Sequence, residues 1–127
     1  MGDQQKRDLI ERYIAAYNAF NIDGMLTVMS DDVVFRNVSD GEITMEIEGR
    51  EELRVAAEQA KAMFSTRTQK PTGWAFSGDT VTVEIDYQAV LSVDIEDGPD
   101  AGETMWLKGW SVFRFEDGLV VEFEDHS

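Results

Sequence analysis

The sequence predicts an α+β fold in which helices gather on one side of a long, strongly bent, mostly antiparallel sheet. Two observations carry this. The periodicities run helix, helix, strand, strand, helix, then four strands, an order that keeps the helices to one layer. From Thr80 to Ile95 apolar and polar residues alternate over sixteen positions, where a strand usually has about 5 to 6, and a strand that long must bend. At 127 residues, without repeat, low-complexity tract or linker, residues 1–127 read as a single domain with one sizeable core.

Asp3 or Gln4 can open the first helix, and Leu9, Ile10, Tyr13, Ile14, Tyr17 and Phe20 recur at the spacing that makes one apolar face, opposite Lys6, Arg7, Glu11 and Arg12. Asn21 caps a second, shorter helix lined by Ile22, Leu26 and Met29, which Ser30-Asp31-Asp32 ends. Val33-Val34-Phe35 starts a strand with Val33, Phe35 and Asn37 on one face and Val34 and Arg36 on the other. Ser39-Asp40-Gly41 turns the chain into a hairpin partner in which Ile43, Met45 and Ile47 alternate with Thr44, Glu46 and Glu48. After Gly49 the spacing becomes helical from Arg50 to Phe64, with Leu53, Ala56, Ala57, Ala60, Met63 and Phe64 inward; the alanines allow close approach to a support. From Thr68 the period is two. Pro71 and Gly73 mark an irregular or edge strand, and Ser77-Gly78-Asp79 turns into the long strand from Thr80 to Ile95. Glu96 to Gly102, Asp97 included, reads as a loop; Thr104 to Phe115 and Leu119 to Asp125 are strands joined at Asp117-Gly118.

Composition narrows the function. Twenty-six acids against eleven bases give a formal net charge of -15, a field that repels phosphate backbones and anionic lipid, so neither nucleic acid nor membrane is an expected partner. Zero cysteines exclude disulfides, thiolate metal sites and cysteine nucleophiles, and one histidine, His126, excludes multi-histidine centres; no metal or cofactor is expected. No apolar run approaches the roughly 18 residues of a membrane span. Met1 to Asp8 is polar without a signal-peptide core, which points to the cytoplasm.

The stretches ERYIAAYNAFNIDGMLTVMSDDVVFRN, IEGREELRVAAEQ and WSVFRFEDGLVVEFE resemble the nuclear-transport-factor-2-like superfamily, in particular its SnoaL-like and ketosteroid-isomerase-like members. The resemblance covers nearly the whole chain. It implies a cone-shaped, cystatin-like roll in which a bent sheet wraps three helices, a ligand cavity at the open end, and dimerisation through the sheet. It does not imply one activity, because the superfamily spans isomerases, cyclases, dehydratases, epoxide hydrolases and non-catalytic adaptors.

Tyr13 resembles the tyrosine that forms half of the ketosteroid isomerase oxyanion hole, where a phenol in a low-dielectric pocket stabilises a developing enolate. The plainer alternative is a core aromatic whose hydroxyl meets a backbone carbonyl. Asn37 stands where those isomerases carry their aspartate base, and an amide takes up no proton at neutral pH; Ser111 stands where they carry a second, protonated aspartate donor. Steroid isomerisation of that kind is therefore not expected, although Asn37 and Ser111 can still orient a ligand. Alternation places Met105, Leu107, Gly109, Ser111, Phe113 and Phe115 towards pocket and core. On the last strand Leu119, Val121, Phe123 and Asp125 share a face, which puts Asp125 at the cavity mouth, where burial would raise its pKa into a range useful for proton transfer. The resemblance to SnoaL-type cyclases implies an acid from this region; the alternative is a solvated carboxylate at a frayed chain end. Tyr17, Trp74 and Phe123 complete the ligand-binding candidates, and His126 reads as an exposed terminal residue. Val90, Trp106, Trp110 and Val112 fall on the otherwise polar sheet face, which favours a homodimer there.

Two functions stay open. One is a cofactor-independent cyclase, isomerase, dehydratase or hydrolase acting on a small apolar carbonyl or hydroxyl compound, with Tyr13 polarising oxygen and Asp125 moving the proton. The other is a non-catalytic binding or dimerisation module.

Overall fold

A computed structural model describes residues 1–96 and 98–127. Helices α1 (Asp3–Asn18), α2 (Ile22–Leu26) and α3 (Arg50–Lys61) lie against strands β1 (Met29–Ser39), β2 (Glu42–Glu48), β3 (Phe64–Ser77), β4 (Thr80–Leu91), β5 (Thr104–Glu116) and β6 (Leu119–His126). The strands form one sheet in the order β2-β1-β6-β5-β4-β3, antiparallel throughout except for the parallel pair β1 and β6. This is the α+β roll the sequence predicts, an unclosed mixed sheet wrapped around three helices.

Two Asp-Gly turns set the hairpins: Asp40 and Gly41 have φ of 51° and 81°, Asp117 and Gly118 52° and 81°. Both central residues in the left-handed region match the right-handed strand twist, which explains the sequence signal at each. Helix α1 ends in a Schellman motif. Phe20 takes the left-handed position at φ 57°, its N–H donates to the Tyr17 carbonyl, and the Asn21 N–H donates to the Ala16 carbonyl at 2.8 Å. The Asn21 side chain then accepts from the Gly24 N–H and caps α2.

Several boundaries move. Met29 and Ser30-Asp31-Asp32 belong to β1 and not to α2, because Leu26 ends the helix and the Val28 carbonyl already accepts a sheet bond from the Val120 N–H. Helix α3 stops at Lys61, so Phe64 opens β3, and β4 ends at Leu91 instead of Ile95. Among the described residues the alternation from Val93 to Ile95 has no strand partner, and alternation without a partner makes no sheet. Asp97, read as part of the following loop, lies outside the described residues. Lys6, assigned to the wet face of α1, is buried, with its ammonium donating to the Gly78 carbonyl at 2.5 Å. A lysine stem can bury its methylenes while its head finds an oxygen.

The core fills the concave side of the sheet. Ile10, Tyr13 and Ile14 of α1 meet Val81 and Val83 of β4, Phe113 and Phe115 of β5, and Val120 and Phe123 of β6. On the convex face Arg36 bridges three strands, reaching Glu46 at 2.7 Å, Glu122 at 2.8 Å and Glu124 at 3.2 Å. Trp106 and Trp110 are exposed on the same side of β5, and Trp110 stacks on His126 at 4.9 Å. His126 is thus half-buried against an indole and bonded to Glu124 at 2.9 Å, not exposed at a loose end. Among the described residues no helix is long and apolar enough to cross a membrane.

Candidate functional site

The concave side is incompletely filled. A hollow of about 350 Å³ runs between α1, α3 and the sheet, walled by Tyr13, Phe35, Leu53, Ala57, Arg67 and Phe123 among others. Ala56, Ala57 and Ala60 present only methyl groups along α3, and those small side chains leave the space open. A second space of about 230 Å³ lies towards the end of β5 and β6. Tyr17, Asn37, Tyr87 and Asp125 line both.

Tyr13 projects from the buried face of α1 and packs edge-on against Phe113 at 5.7 Å and Phe123 at 5.6 Å. Those rings fix its direction. No side-chain hydrogen bond is made by its hydroxyl among the described residues, and the hydroxyl is not one of the sealed unpartnered polar atoms, so it opens on the hollow that Tyr13 lines. Burial, then the nearby Asp125 carboxylate, hold the phenol well above its ordinary pKa, and it is a neutral donor at any physiological pH. One turn on, the Tyr17 hydroxyl meets the Tyr87 hydroxyl at 3.0 Å. Burial raises both of these phenols too.

Asp125 sits on β6 directly opposite Ser111 on β5, and the Ser111 hydroxyl donates to its Oδ1 at 2.7 Å. Burial raises the Asp125 pKa; the Ser111 hydrogen bond and the adjacent His126 oppose that rise. The two effects pull against each other, and desolvation is the larger. Strand pairing holds the chain here: Asp125 lies beside Asn37 of β1, and the Ser127 N–H donates to the Val38 carbonyl at 3.0 Å. The β1–β2 register shifts between Asn37 and Val38, where Thr44 is the extra residue on β2. Gly109 makes room for this crossing. A Cβ there would stand 2.1 Å from the His126 carbonyl oxygen.

The structure therefore brings Tyr13, Tyr17, Asn37, Phe123 and Asp125 together around one hollow, with Ser111 behind Asp125. It does not bring Trp74. That indole stacks on Phe76 at 6.2 Å under the Arg7 guanidinium, in a groove between α1 and β3 on the other side of the helix. Leu107, assigned inward, is half-exposed at the rim of the smaller space. Two wall residues escaped the sequence reading. Tyr87 lies on the alternating strand that starts at Thr80, but nothing in the chain shows that it faces Tyr17. Arg67 lay in the span read as the helix-to-strand join, where burial has no periodic signature. Among the described residues no group of three or more His, Asp or Glu could hold a metal ion.

With that geometry in place, comparison with known proteins gives the class. A SnoaL-like domain model matches residues 10–123, and the chain belongs to that family. Solved structures share the fold. A candidate polyketide cyclase from Xanthomonas campestris pv. campestris superposes with a TM-score of 0.81 at 22% identity, over 98% of this chain and 90% of that one. A candidate polyketide cyclase from Silicibacter sp. gives 0.75 at 25% identity, over 96% and 88%. A protein of ketosteroid isomerase-like fold from Catenulispora acidiphila, solved with trimethylamine, gives 0.75 at 18% identity, over 94% and 84%. No curated protein matches the sequence.

Proposed function

We propose that the protein is a SnoaL-type enzyme that moves a proton on a small apolar carbonyl or hydroxyl compound held in the hollow, without a cofactor. The observation that carries this is the placing of Asp125, a half-buried carboxylate whose pKa burial raises, in the wall of the same hollow as the phenol of Tyr13. The carboxylate takes a proton from carbon next to a carbonyl. The electron pair left behind moves onto the carbonyl oxygen, and Tyr13 donates a hydrogen bond to that oxygen as its charge develops. Asp125 then returns the proton, to the same carbon, to a neighbouring one, or to an oxygen after ring closure. Cyclisation, isomerisation and dehydration all start from this step. The candidate cyclases among the structural neighbours support the first of them. Tyr17, Asn37, Ser111 and Phe123 serve as ligand-binding or positioning groups; Trp74 is left out.

The test is exchange of the methyl protons of 2-acetylnaphthalene into D2O, followed by proton NMR. Enzyme should accelerate exchange, Asp125→Asn should abolish the acceleration, and Tyr13→Phe should lower it about 10²-fold, the scale of one lost oxyanion donor. Binding of the ketone without accelerated exchange would instead support the second reading, a non-catalytic pocket. Asn37 favours that reading, since it replaces a base with an amide whose Nδ2 lies 3.9 Å from the Met45 sulfur.

We also propose a homodimer through the convex face around Trp106, Trp110, Val90 and Val112. Trp106 keeps 71% of its surface exposed in the monomer, an uncommon state for an indole with an apolar neighbour on the same strand face. Sedimentation at micromolar concentration should show a dimer, and a lone 14.3 kDa species would end this idea.

A further inference from the structure

We infer that the hollow is built for an acid: an apolar molecule whose carboxylate rests on the Arg67 guanidinium while its carbonyl or hydroxyl group meets Tyr13 and Asp125. The inference rests on the reading above and adds the charge of the ligand. Arg67 is buried, with 3% of its surface accessible, and it forms part of the cavity wall. Its Nε donates to the Tyr17 carbonyl at 3.0 Å, its Nη2 lies 4.0 Å from the Met25 sulfur, and its plane covers the Tyr17 ring at 3.7 Å and the Phe20 ring at 4.6 Å. No carboxylate pairs with it among the described residues, and Nη1 donates to none of them. That is unusual in this chain. Arg7, Arg36, Arg50, Arg54 and Arg114 each contact an acid, Arg12 makes no ion pair among the described residues but is exposed, and Arg67 is more buried than all six.

A guanidinium does not shed its proton, so burial without a counter-charge leaves a standing cost. The aromatic faces and the carbonyl end of α1 offset part of it. Asp125 does not supply the rest. It takes its hydrogen bond from Ser111, and the charge that bears on its titration is that of His126. Both charges bear on Tyr13, Tyr17 and Tyr87, Arg67 lowering and Asp125 raising each phenol. The hollow thus offers a cation, a set of phenol donors and a separate proton acceptor. A carboxylate fits the cation, because the guanidinium fork matches its two oxygens. The net charge of -15 works against any anion, so a preference for one can arise only from a local cation.

The experiment compares 2-naphthoate with 2-naphthamide, equal in ring and shape but different in charge, by titration calorimetry at pH 8. The wild type should bind the acid about tenfold more tightly, the worth of one charge-assisted hydrogen bond. Arg67→Gln should erase that difference and leave the amide within twofold, and Arg67→Lys should keep part of it. Equal affinities in the wild type, or a preference that survives Arg67→Gln, overturn the inference. If Arg67→Gln does not fold, the wild-type comparison and Arg67→Lys decide alone. Failure of the acid, the amide and 2-acetylnaphthalene to bind would overturn the ligand-pocket reading itself; binding of the two neutral compounds with no gain for the acid overturns only the charge of the ligand.

Discussion

The Ser111 hydroxyl donates to Asp125 Oδ1 at 2.7 Å across directly paired positions of β5 and β6. Strand pairing holds the two backbones opposite each other, and this bond stabilises the ionised form and restrains a rise that burial would otherwise extend. Ser111→Ala should therefore move the Asp125 titration further up. Carboxyl ¹³C chemical shifts followed against pH would show it: a midpoint above the ordinary carboxylate range in the wild type, and higher in the variant. An unchanged midpoint would mean that water from the cavity replaces the hydroxyl.

Stability should carry the same signature. Asp125 has a folded-state pKa above its unfolded one. The folded protein then holds the proton more tightly, and stability falls as pH rises from the ordinary carboxylate range through the raised value. Below that window the carboxyl is protonated in both states and costs nothing. Asp125→Asn removes the cost while its amide oxygen still accepts from Ser111. The variant should be more stable than the wild type at neutral pH by on the order of 1 kcal/mol, and the gain should vanish in acid, as thermal melts across pH would record. A gain constant with pH would place its origin elsewhere.

Tyr17 and Tyr87 share a 3.0 Å hydroxyl contact inside the wall common to both spaces. Tyr17→Phe or Tyr87→Phe alone leaves one hydroxyl without its partner, and each should cost about 1 kcal/mol. The double variant should cost less than the sum. A double-mutant cycle by urea unfolding should give a coupling of about 0.5 to 1 kcal/mol; a coupling of zero would mean that cavity water satisfies either hydroxyl equally well.

How much of this was readable beforehand follows from where periodicity reaches. The element order, the two Asp-Gly turns and the face shared by Tyr13 and Tyr17 came from local chemistry: a spacing of three and four, an alternation of two, and a dipeptide that tolerates positive φ. The placing of Phe123 and Asp125 on one wall followed from alternation along β6. Trp74 was missed because a strand's two faces can be told apart by alternation, but which face meets the hollow and which the outside of α1 depends on how far the sheet bends. Arg67 was missed for a related reason. It lies between Phe64, where helical spacing stops, and Thr68, where alternation starts, and a charged residue carries no prior for burial. The parallel pairing of β1 with β6, which sets Asn37 beside Asp125, is a long-range choice that no local pattern records.

Gly109 ties the end of β6 to the site. Its missing Cβ leaves room for the His126 carbonyl oxygen, which would otherwise stand 2.1 Å from it, and a Cβ fixed to its own backbone would meet a backbone oxygen. No rotamer change can relieve such a clash; the strand end must move. Gly109→Ala should cost about 1 to 3 kcal/mol, the range for inserting a methyl into a packed position. Because Asp125 immediately precedes His126, the displacement should also lengthen the Ser111 hydrogen bond and shift the Asp125 titration, with Tyr13 undisturbed on its helix. Thermal melting measures the first effect and carboxyl NMR the second. A destabilised Gly109→Ala protein with an unaltered Asp125 midpoint would show that β6 gives way beyond Asp125, leaving the carboxylate anchored by its pairing with Asn37 and Ser111.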